Sequence, residues 1–322
     1  MRRKLEASAA CFSPCPDRFV TTGYRDPIST EERWDVIGNI EELDGIEIGS
    51  PFESAEYIKN KAASYGKRIG SVCPDTYEDR KWKDGMLMSR DAGIRREAIQ
   101  VFKDAMDLCA EVDGADVLLW QAHDGYTYPF EDDYAHRWDF LMESIDEISA
   151  YRSDVKLTIE YKCKEPKCRQ YISDLGKSLW ICDQINRDNL GIVVDIGHSL
   201  IVQENPAEAL ALAAKAGRLF HVHLNDNYRL VDDDLFVGAV HFWETLEFFY
   251  QMDEIGYDGW VNMDVFPYYV DGPGALNECI QRVRMFEKLV EALPREEIRK
   301  LQRQGNLNEI NRILRETCIK TY

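Results

Sequence analysis

The hydrophobic and polar positions of this 322-residue chain alternate between two periods along most of its length. Short runs rich in apolar and β-branched residues predict buried strands, whereas apolar residues at every third or fourth position predict amphipathic helices. Helical periodicity is clearest over Arg95–Glu111 and Tyr134–Ala150. Asn205-Pro206 has the sequence of a helix start, and Gly217 that of a helix end. The predicted strands are Leu5–Phe12, Gly45–Ile48, Arg68–Val72, Val117–Gln121, Leu157–Tyr161, Ile192–Asp195, Leu219–Leu224 and Trp260–Val265.

This alternation of strand and helix is typical of βα units around a parallel sheet. Eight units fit residues 1–293 as one α/β domain, a single (β/α)8 TIM barrel. A doubly wound sheet is the alternative fold. It would usually carry a glycine-rich phosphate turn after the first strand, and the sequence has none there.

The segment 294–322 breaks the rhythm and predicts a C-terminal helical extension of two short charged helices, joined at Gly305-Asn306. Leu301, Ile310, Ile313 and Leu314 need an apolar surface to bury against. We therefore expect this tail to be an arm that grips a neighbouring subunit, in a homodimer or homotetramer, rather than a solvated appendage.

The net charge of the protein restricts the kinds of molecule that we expect it to bind. The net charge of −19, from 58 acidic and 39 basic residues, argues against nucleic acid and anionic membranes, which both reward clustered basic residues. No apolar run reaches the roughly 18 residues of a transmembrane helix, and the N-terminus has no signal-peptide core. The nine cysteines include no CxxC pair. We expect a cytoplasmic protein with reduced thiols, no nucleic-acid or membrane partner, and a neutral small molecule or a cation as ligand.

Active sites of TIM barrels lie at the C-terminal ends of the strands. The fifth to eighth predicted strands end at Glu160, Asp195, His223 and Asp264. A lone carboxylate at such a place usually caps the next helix, but four converging groups repel one another unless protons or a cation neutralise them. Oxygen and imidazole ligands suit Mn, Co, Mg or Zn, so the spacing predicts a divalent-metal site. His221 lies one layer deeper on the same strand face as His223, which favours a hydrogen-bonded core residue over a ligand.

A second set of ligands is also suggested by the spacing. Asp195 and His198 lie three residues apart at one strand end, and an acidic triplet follows the seventh strand. Alternate residues of an extended loop point the same way, so Asp232 and Asp234 could join Asp195 and His198 around a second metal, with Asp195 bridging. A solvated turn is the other interpretation of the triplet.

Taken together, these motifs resemble the xylose isomerase-like TIM barrels, and within them the metal-dependent aldose–ketose isomerases of the L-rhamnose and xylose isomerase type. The resemblance runs from about Val117 to Asp264. The motifs that carry it are Trp120–Pro129, Glu160-Tyr-Lys162 with Glu165-Pro166, Asp195-Ile-Gly-His198, His223-Leu-Asn225-Asp226, Asp232-Asp-Asp234-Leu235 with Gly238, and Asp264.

The resemblance implies an interconversion of a free aldose and its ketose by a 1,2-hydride shift, with one or two divalent ions per subunit. Mn2+ is expected, with Co2+ or Mg2+ as alternatives. Lys162 would hydrogen-bond the carbonyl oxygen and Trp120 would form an apolar wall beside the substrate, which His198 would also contact. A free sugar is favoured over a sugar phosphate because no Arg or Lys cluster follows the seventh and eighth strands.

Two points stay open in the sequence. Xylose isomerase has an early histidine thought to help open the sugar ring, but no histidine precedes His123 here, so His123 or Asp17 is expected to contact the substrate for that step. The main alternative function is a ketose 3-epimerase of the D-tagatose 3-epimerase type, in which Glu160 and Asp264 would act as proton acid and base beside one metal. A DNA-repair endonuclease of the same superfamily would need a basic groove to bind phosphates, which the net charge of −19 argues against. A barrel that has lost its activity would show an eroded site, whereas the predicted set of site residues is complete.

Overall fold

The computed structural model describes residues 2–319 and contains a closed barrel of eight parallel strands. Going around the barrel, each strand pairs with its neighbours in chain order, and β8 pairs with β1. The strands are β1 (Lys4–Ala7), β2 (Gly45–Gly49), β3 (Arg68–Cys73), β4 (Asp116–Trp120), β5 (Leu157–Glu160), β6 (Leu190–Asp195), β7 (Leu219–Leu224) and β8 (Trp260–Met263). The prediction of a single α/β TIM barrel is confirmed.

Helices surround the barrel and cover the outer face of its strands, which explains why the strands read as nearly continuous apolar runs. A short antiparallel ribbon, Gly125–Tyr126 with Arg169–Gln170, joins the loops after β4 and β5. Two 3-10 helices cover Ala9–Phe12 and Arg80–Asp84. The α-helices are α1 (Thr30–Gly38), α2 (Ala55–Tyr65), α3 (Ala92–Glu111), α4 (Tyr134–Tyr151), α5 (Leu175–Ile185), α6 (Ile196–Ile201), α7 (Pro206–Lys215), α8 (Phe242–Glu254), α9 (Gly272–Ala292), α10 (Arg295–Gln304) and α11 (Leu307–Cys318).

The helix start and the helix end predicted from the sequence are both found at α7. The Asn205 side chain accepts a hydrogen bond from the backbone N–H of Glu208, and Pro206 occupies the first turn. Gly217 follows the end of the helix with φ +68°, a conformation that glycine adopts without strain.

The first predicted strand is wrong at its C-terminal end. β1 stops at Ala7, and Ala9–Phe12 turns into a 3-10 helix. Cys11 and Phe12 are nevertheless buried, at 0% and 3% exposure, so the apolar run continues without the extended backbone. Short apolar runs do not distinguish a strand from a buried turn by periodicity.

The C-terminal tail forms two helices, joined at the predicted Gly305-Asn306. Ile298, Leu301 and Ile313 are buried, and Ile310 and Leu314 pack against the core of the same chain. Its apolar residues are therefore largely accommodated without a partner, and the proposed role as an oligomerisation arm stays a prediction.

The nine cysteines are all unpaired thiols. Within residues 2–319, no helix has both the length and the apolar character needed to cross a membrane.

Candidate metal centre and active site

Four side chains from consecutive strands converge at the C-terminal mouth of the barrel. Glu160 and Asp195 are the last residues of β5 and β6, His223 lies near the end of β7, and Asp264 directly follows β8. Strand register places Asp195 opposite His223. One ligand atom from each of the four residues lies within 4.8 Å of the others. The structure thus brings together the whole first set predicted from the sequence.

The charges of this cluster are not balanced by its own members. His223 Nδ1 lies 3.0 Å from Glu160 Oε1, 3.7 Å from Asp264 Oδ2 and 3.9 Å from Asp195 Oδ2. Even a protonated imidazole would leave an excess of negative charge among three carboxylates. His223 Nε2 is buried and has no hydrogen-bond partner. Converging oxygen and imidazole donors with excess negative charge fit a divalent cation.

The pKa values of the cluster residues are shifted in directions that agree with this excess of negative charge. Burial raises the pKa of Asp195 to about 7, because removal from water disfavours its ionised form. Burial also opposes ionisation of Glu160, but His223 outweighs it and lowers the pKa of that carboxyl. Burial works against the charged form of His223, yet Glu160 and Asp264 raise its pKa well above the ordinary value. A bound metal would have to displace the His223 proton, so metal binding and proton release are coupled.

In the second set of predicted ligands, Asp232 contacts His198 and Lys162. Asp232 Oδ2 lies 2.8 Å from both His198 Nε2 and Lys162 Nζ. Burial tends to raise the pKa of Asp232, but these two cations outweigh it and lower that pKa. The opposing charges raise the pKa of His198 to about 9 against the effect of burial. Among residues 2–319 only the first set has ligand atoms mutually within 4.8 Å, so a second ion at this place stays a prediction.

Asn225 is a residue of the site to which the sequence reasoning assigned no role. Its amide donates to Asp195 Oδ2 at 3.0 Å and to Asp234 Oδ1 at 3.4 Å, so it links the two predicted sets. A Cβ on Gly197 would lie 2.1 Å from Asn225 Oδ1, which explains the glycine there. Asp234 itself is buried, and burial together with Asp232 raises its pKa well above the ordinary value. An amide at a strand end gives no charge or spacing signal, so only its neighbours reveal its role.

Lys162 and Trp120, to which the resemblance assigns substrate contacts, lie next to each other at the mouth of the barrel. The Lys162 ammonium lies 5.5 Å from the centre of the Trp120 ring, and Trp120 makes an edge contact with Tyr77 at 5.0 Å. Lys162 is 9% exposed and stays charged, because Asp232 and Asp234 raise its pKa although burial opposes this. The Gln121 side chain donates to the Lys162 carbonyl at 3.1 Å and so fixes the start of this loop.

The two residues proposed for ring opening lie in different surroundings. His123 is half-buried in the loop after β4, and its Nε2 lies 3.0 Å from the Tyr77 carbonyl. The Asp17 carboxylate is engaged by its own loop, accepting the backbone N–H groups of Phe19 and Val20 and the hydroxyl of Tyr24 at 2.9 Å.

Glu47 is a second feature that the sequence reasoning missed. It is the middle residue of β2, is buried, and accepts hydrogen bonds from the Ser8 hydroxyl at 2.7 Å and the Asn262 amide at 3.0 Å. Burial raises its pKa to about 8. A glutamate inside an apolar strand of a barrel was the signal that could have identified it, since buried acids need partners.

One layer deeper, His221 is a core residue, as expected. Its Nδ1 lies 2.8 Å from Asp116 Oδ2, and its Nε2 lies 2.7 Å from Glu6 Oε1. Ser71 donates its hydroxyl to Asp116 at 2.8 Å and its backbone N–H to Glu6 at 3.1 Å. All four residues are at most 1% exposed.

Known proteins share this arrangement of strands and helices. A family model described as xylose isomerase-like TIM barrel matches residues 18–289. The xylose isomerase of Thermus thermophilus is 26% identical over 231 residues, which are 69% of this chain, and the chain spans 60% of that relative's length. A D-tagatose 3-epimerase-like protein has a TM-score of 0.69 at 22% identity, covering 89% of this chain and 98% of its own. The IOLI protein with a bound zinc atom has a TM-score of 0.64 at 19% identity, covering 88% and 98%. The family match extends over most of the length, and the chain belongs to the xylose isomerase-like TIM barrel family.

Proposed function

We propose that this protein interconverts a free aldose and its ketose by a divalent-metal-assisted 1,2-hydride shift. The observation that carries the proposal is the position of Lys162. Its buried ammonium, between Asp232 and the Trp120 ring, is a fixed cationic donor beside the carboxylate cluster. A charged donor there suits a carbonyl oxygen that becomes more negative as the reaction proceeds. The curated relative from Thermus thermophilus is a xylose isomerase, which supports the same reaction class.

The residues that would hold a divalent ion are Glu160, Asp195, His223 and Asp264. When bound, such an ion supplies Lewis-acid polarisation of the carbonyl and acidifies the neighbouring hydroxyl. The bound zinc of the IOLI structure supports a metal in this family, and we propose Mn2+, with Co2+ and Mg2+ as alternatives. His198, Asp232 and Asp234, together with Asp195, would hold a second ion.

The side chains of this chain would do the remaining work. The hydrogen at C2 of the open-chain aldose moves to C1 with its electron pair, while O2 loses a proton and O1 gains one. Lys162 would donate a hydrogen bond to O1 and stabilise the charge that develops there. Trp120 and Tyr77 would exclude water from one face of the sugar, which strengthens the interaction of Lys162 with the oxygen.

A second candidate is a ketose 3-epimerase. Glu160 and Asp264 both face His223, within 3.0 and 3.7 Å of its Nδ1, so two carboxylates flank one metal position as an acid–base pair would. The D-tagatose 3-epimerase-like structural neighbour supports this alternative. Against it, β8 is followed by the shorter Asp264, and Lys162 supplies a cationic donor that suits the carbonyl oxygen of the hydride shift.

The two reactions differ in the fate of one hydrogen. Metal-stripped protein is incubated in D2O with a panel of free aldoses and ketoses, with and without Mn2+ or Co2+, and the products are separated and analysed by NMR. We expect a metal-dependent aldose–ketose exchange with little deuterium at C1 or C2, because a hydride passes directly between carbons. Deuterium at C3 of a ketose product would instead establish the epimerase.

Variants test the assigned roles. Lys162→Met should lower turnover about 1,000-fold, since about 4 kcal/mol of transition-state stabilisation corresponds to that factor. Lys167→Met, in the same loop, is the matched control and should retain activity. A C3 exchange that survives Asp234→Asn would contradict the two-ion hydride shift. Absence of turnover on every free sugar would overturn the proposed function.

A further inference from the structure

A cleft of about 860 Å³ opens between the loop after β1, helix α1 and the loop after β8. Its volume falls in the range of roughly 300–1,000 Å³ that small-molecule sites occupy. Three tyrosines line it, Tyr24, Tyr268 and Tyr269, together with apolar side chains such as Ile28 and Val36. None of these residues belongs to the carboxylate cluster described above.

The cleft adjoins the metal centre through the loop after β8. That loop begins at Asp264, and the backbone N–H of Phe266 donates to the Asp234 carbonyl at 3.1 Å. The Phe266 ring stacks on Tyr268 with centres 6.4 Å apart. Tyr268 also lines the cleft, so Phe266 connects the cleft to the segment that carries Asp234.

The three tyrosines contact one another through their rings. Tyr24 makes edge contacts with Tyr268 and Tyr269, at 6.0 and 5.1 Å between ring centres. Its hydroxyl donates to Asp17 Oδ2 at 2.9 Å, and Asp17 is in turn fixed by the backbone of its loop. Asp17, which the sequence suggested as a substrate contact, therefore supports Tyr24. Tyr269 remains 81% exposed, leaving much of its ring available to a ligand.

The chemistry of the lining favours a neutral, hydroxylated ring. The electron-rich face of an aromatic ring attracts polarised C–H groups, such as those on the face of a sugar, and each phenol hydroxyl can donate or accept a hydrogen bond. Asp26, Glu32, Asp35 and Asp271 also line the cleft, so a phosphate or carboxylate would be repelled. The single arginine, Arg25, is already bonded to the Pro267 carbonyl.

We propose that this cleft is a subsite for a second sugar ring, joined by a glycosidic bond to the sugar that reacts at the metal centre. The substrate class would then be a reducing disaccharide or longer oligosaccharide. Lys162 would hold the carbonyl end of the reacting sugar beside Asp232. The loop after β8 carries both Asp264 and the cleft tyrosines, and it gives the route by which the other end would reach the cleft. This inference rests on the proposed function only for the direction of the reacting sugar.

Binding measurements test the subsite without requiring turnover. The Mg2+-loaded protein is titrated with D-glucose, cellobiose and maltose, and contacts are mapped by saturation-transfer NMR. We expect at least one disaccharide to bind about tenfold more tightly than glucose, with saturation transferred to its non-reducing ring. Tyr269→Ala should bring the disaccharide-to-glucose affinity ratio close to one. Tyr228→Ala, at another exposed tyrosine (65% against 81% for Tyr269) that does not line the cleft, should leave the ratio unchanged.

The outcomes separate the two proposals. Equal binding of glucose and both disaccharides, or an equal effect of Tyr269→Ala and Tyr228→Ala on the ratio, would overturn the subsite even if free sugars are isomerised. Tyr269-dependent disaccharide binding without isomerisation of any sugar would support the subsite and overturn the proposed reaction. Tyr24→Phe keeps the ring and removes the hydroxyl bonded to Asp17. A smaller fall in the ratio with Tyr24→Phe than with Tyr269→Ala would support ring stacking as the main contact.

Discussion

Two clusters of histidine and carboxylate occupy the barrel interior, one above the other. In the lower cluster, His221 has a carboxylate against each ring nitrogen, and Ser71 supplies donors to both acids. In the upper cluster, His223 faces three carboxylates with one nitrogen, while the other nitrogen has no hydrogen-bond partner. The two histidines are two residues apart, with rings 5.3 Å between centres.

The difference indicates that histidine and carboxylate side chains can stabilise the fold in one layer of the barrel and form a predicted metal site in the next layer. A buried charge is tolerable when it is paired, and in the lower cluster a carboxylate oxygen lies within 2.8 Å of each His221 nitrogen. The contact with Asp116 is a hydrogen bond, whereas that with Glu6 is an ion pair without hydrogen-bond geometry. The upper cluster has three carboxylates around one imidazole, a surplus of negative charge that a divalent cation would neutralise. The mutations below are chosen to separate these two behaviours.

The largest effect is expected from the upper histidine. His223→Gln removes the imidazole ligand, so bound Mn2+ should be lost and turnover should fall about 1,000-fold or more, as expected when several kcal/mol of metal assistance disappear. Metal content by elemental analysis and the rate of sugar exchange measure both. His221→Gln is the control one layer below: folded protein should still bind Mn2+. Equal loss of Mn2+ in the two variants would contradict the division between the layers.

A large loss of stability is expected from the lower cluster. Asp116→Asn removes one of the two carboxylates that balance the positive charge of the buried His221. This loss should lower the free energy of unfolding by about 3–5 kcal/mol. Urea unfolding at constant m-value measures the change. Asp188→Asn, at an exposed position, should change it little. A loss below about 1 kcal/mol in Asp116→Asn would show that the lower cluster contributes little to stability.

The lower cluster should also make stability depend on pH. Burial lowers the pKa of His221, but Asp116 and Glu6 outweigh it and raise that pKa from 6.5 to about 9. A raised pKa in the folded state gives stability that is complete below about pH 6.5 and is lost as the pH rises through about 9. The rise corresponds to roughly 3 kcal/mol, at 1.36 kcal/mol per pH unit.

This dependence is measured by urea unfolding of the parent and of Asp116→Asn between pH 6 and 9.5. We expect the stability difference between the two proteins to shrink as the pH rises, because the parent loses the His221 contribution. A difference that stays constant over this range would contradict a protonated His221 in the folded protein.

The smallest effect is expected from the neutral member of the lower cluster. Ser71→Ala removes the hydroxyl that donates to Asp116 at 2.8 Å, and the loss of one hydrogen bond to a charged group should cost about 2 kcal/mol. The same unfolding assay measures it. A cost as large as that of Asp116→Asn would show that the hydroxyl, and not the ion pair, dominates the cluster.

Much of the fold and of the first ligand set could be predicted because both depend on periodic strands. Parallel strands end at one edge, so Glu160, Asp195, His223 and Asp264 had to converge once the strands were identified. The loops were less predictable. Asp234 adopts a left-handed backbone with φ +46°, so the alternation assumed for the acidic triplet does not describe its geometry.

Other features depended on contacts that no pattern contains. The role of Asn225 follows from its distance to two carboxylates on different segments, and the engagement of Asp17 follows from the path of its own loop. The apolar face of the tail was correctly identified as needing cover, but amphipathicity alone does not say whether the same chain or another subunit provides it. Here α9 of the same chain contacts α11, and the two tail helices α10 and α11 contact each other.

The two oxygens of Asp195 are divided between a helix and the metal centre. Oδ1 caps α6 by accepting the backbone N–H of His198 at 2.8 Å, while Oδ2 faces Asn225 and the carboxylate cluster. His198 is thus carried by a helix whose first turn depends on a carboxylate of the predicted metal site. A substitution at Asp195 would therefore disturb both predicted ion positions, because it would remove a carboxylate from the cluster and the cap from the helix that carries His198.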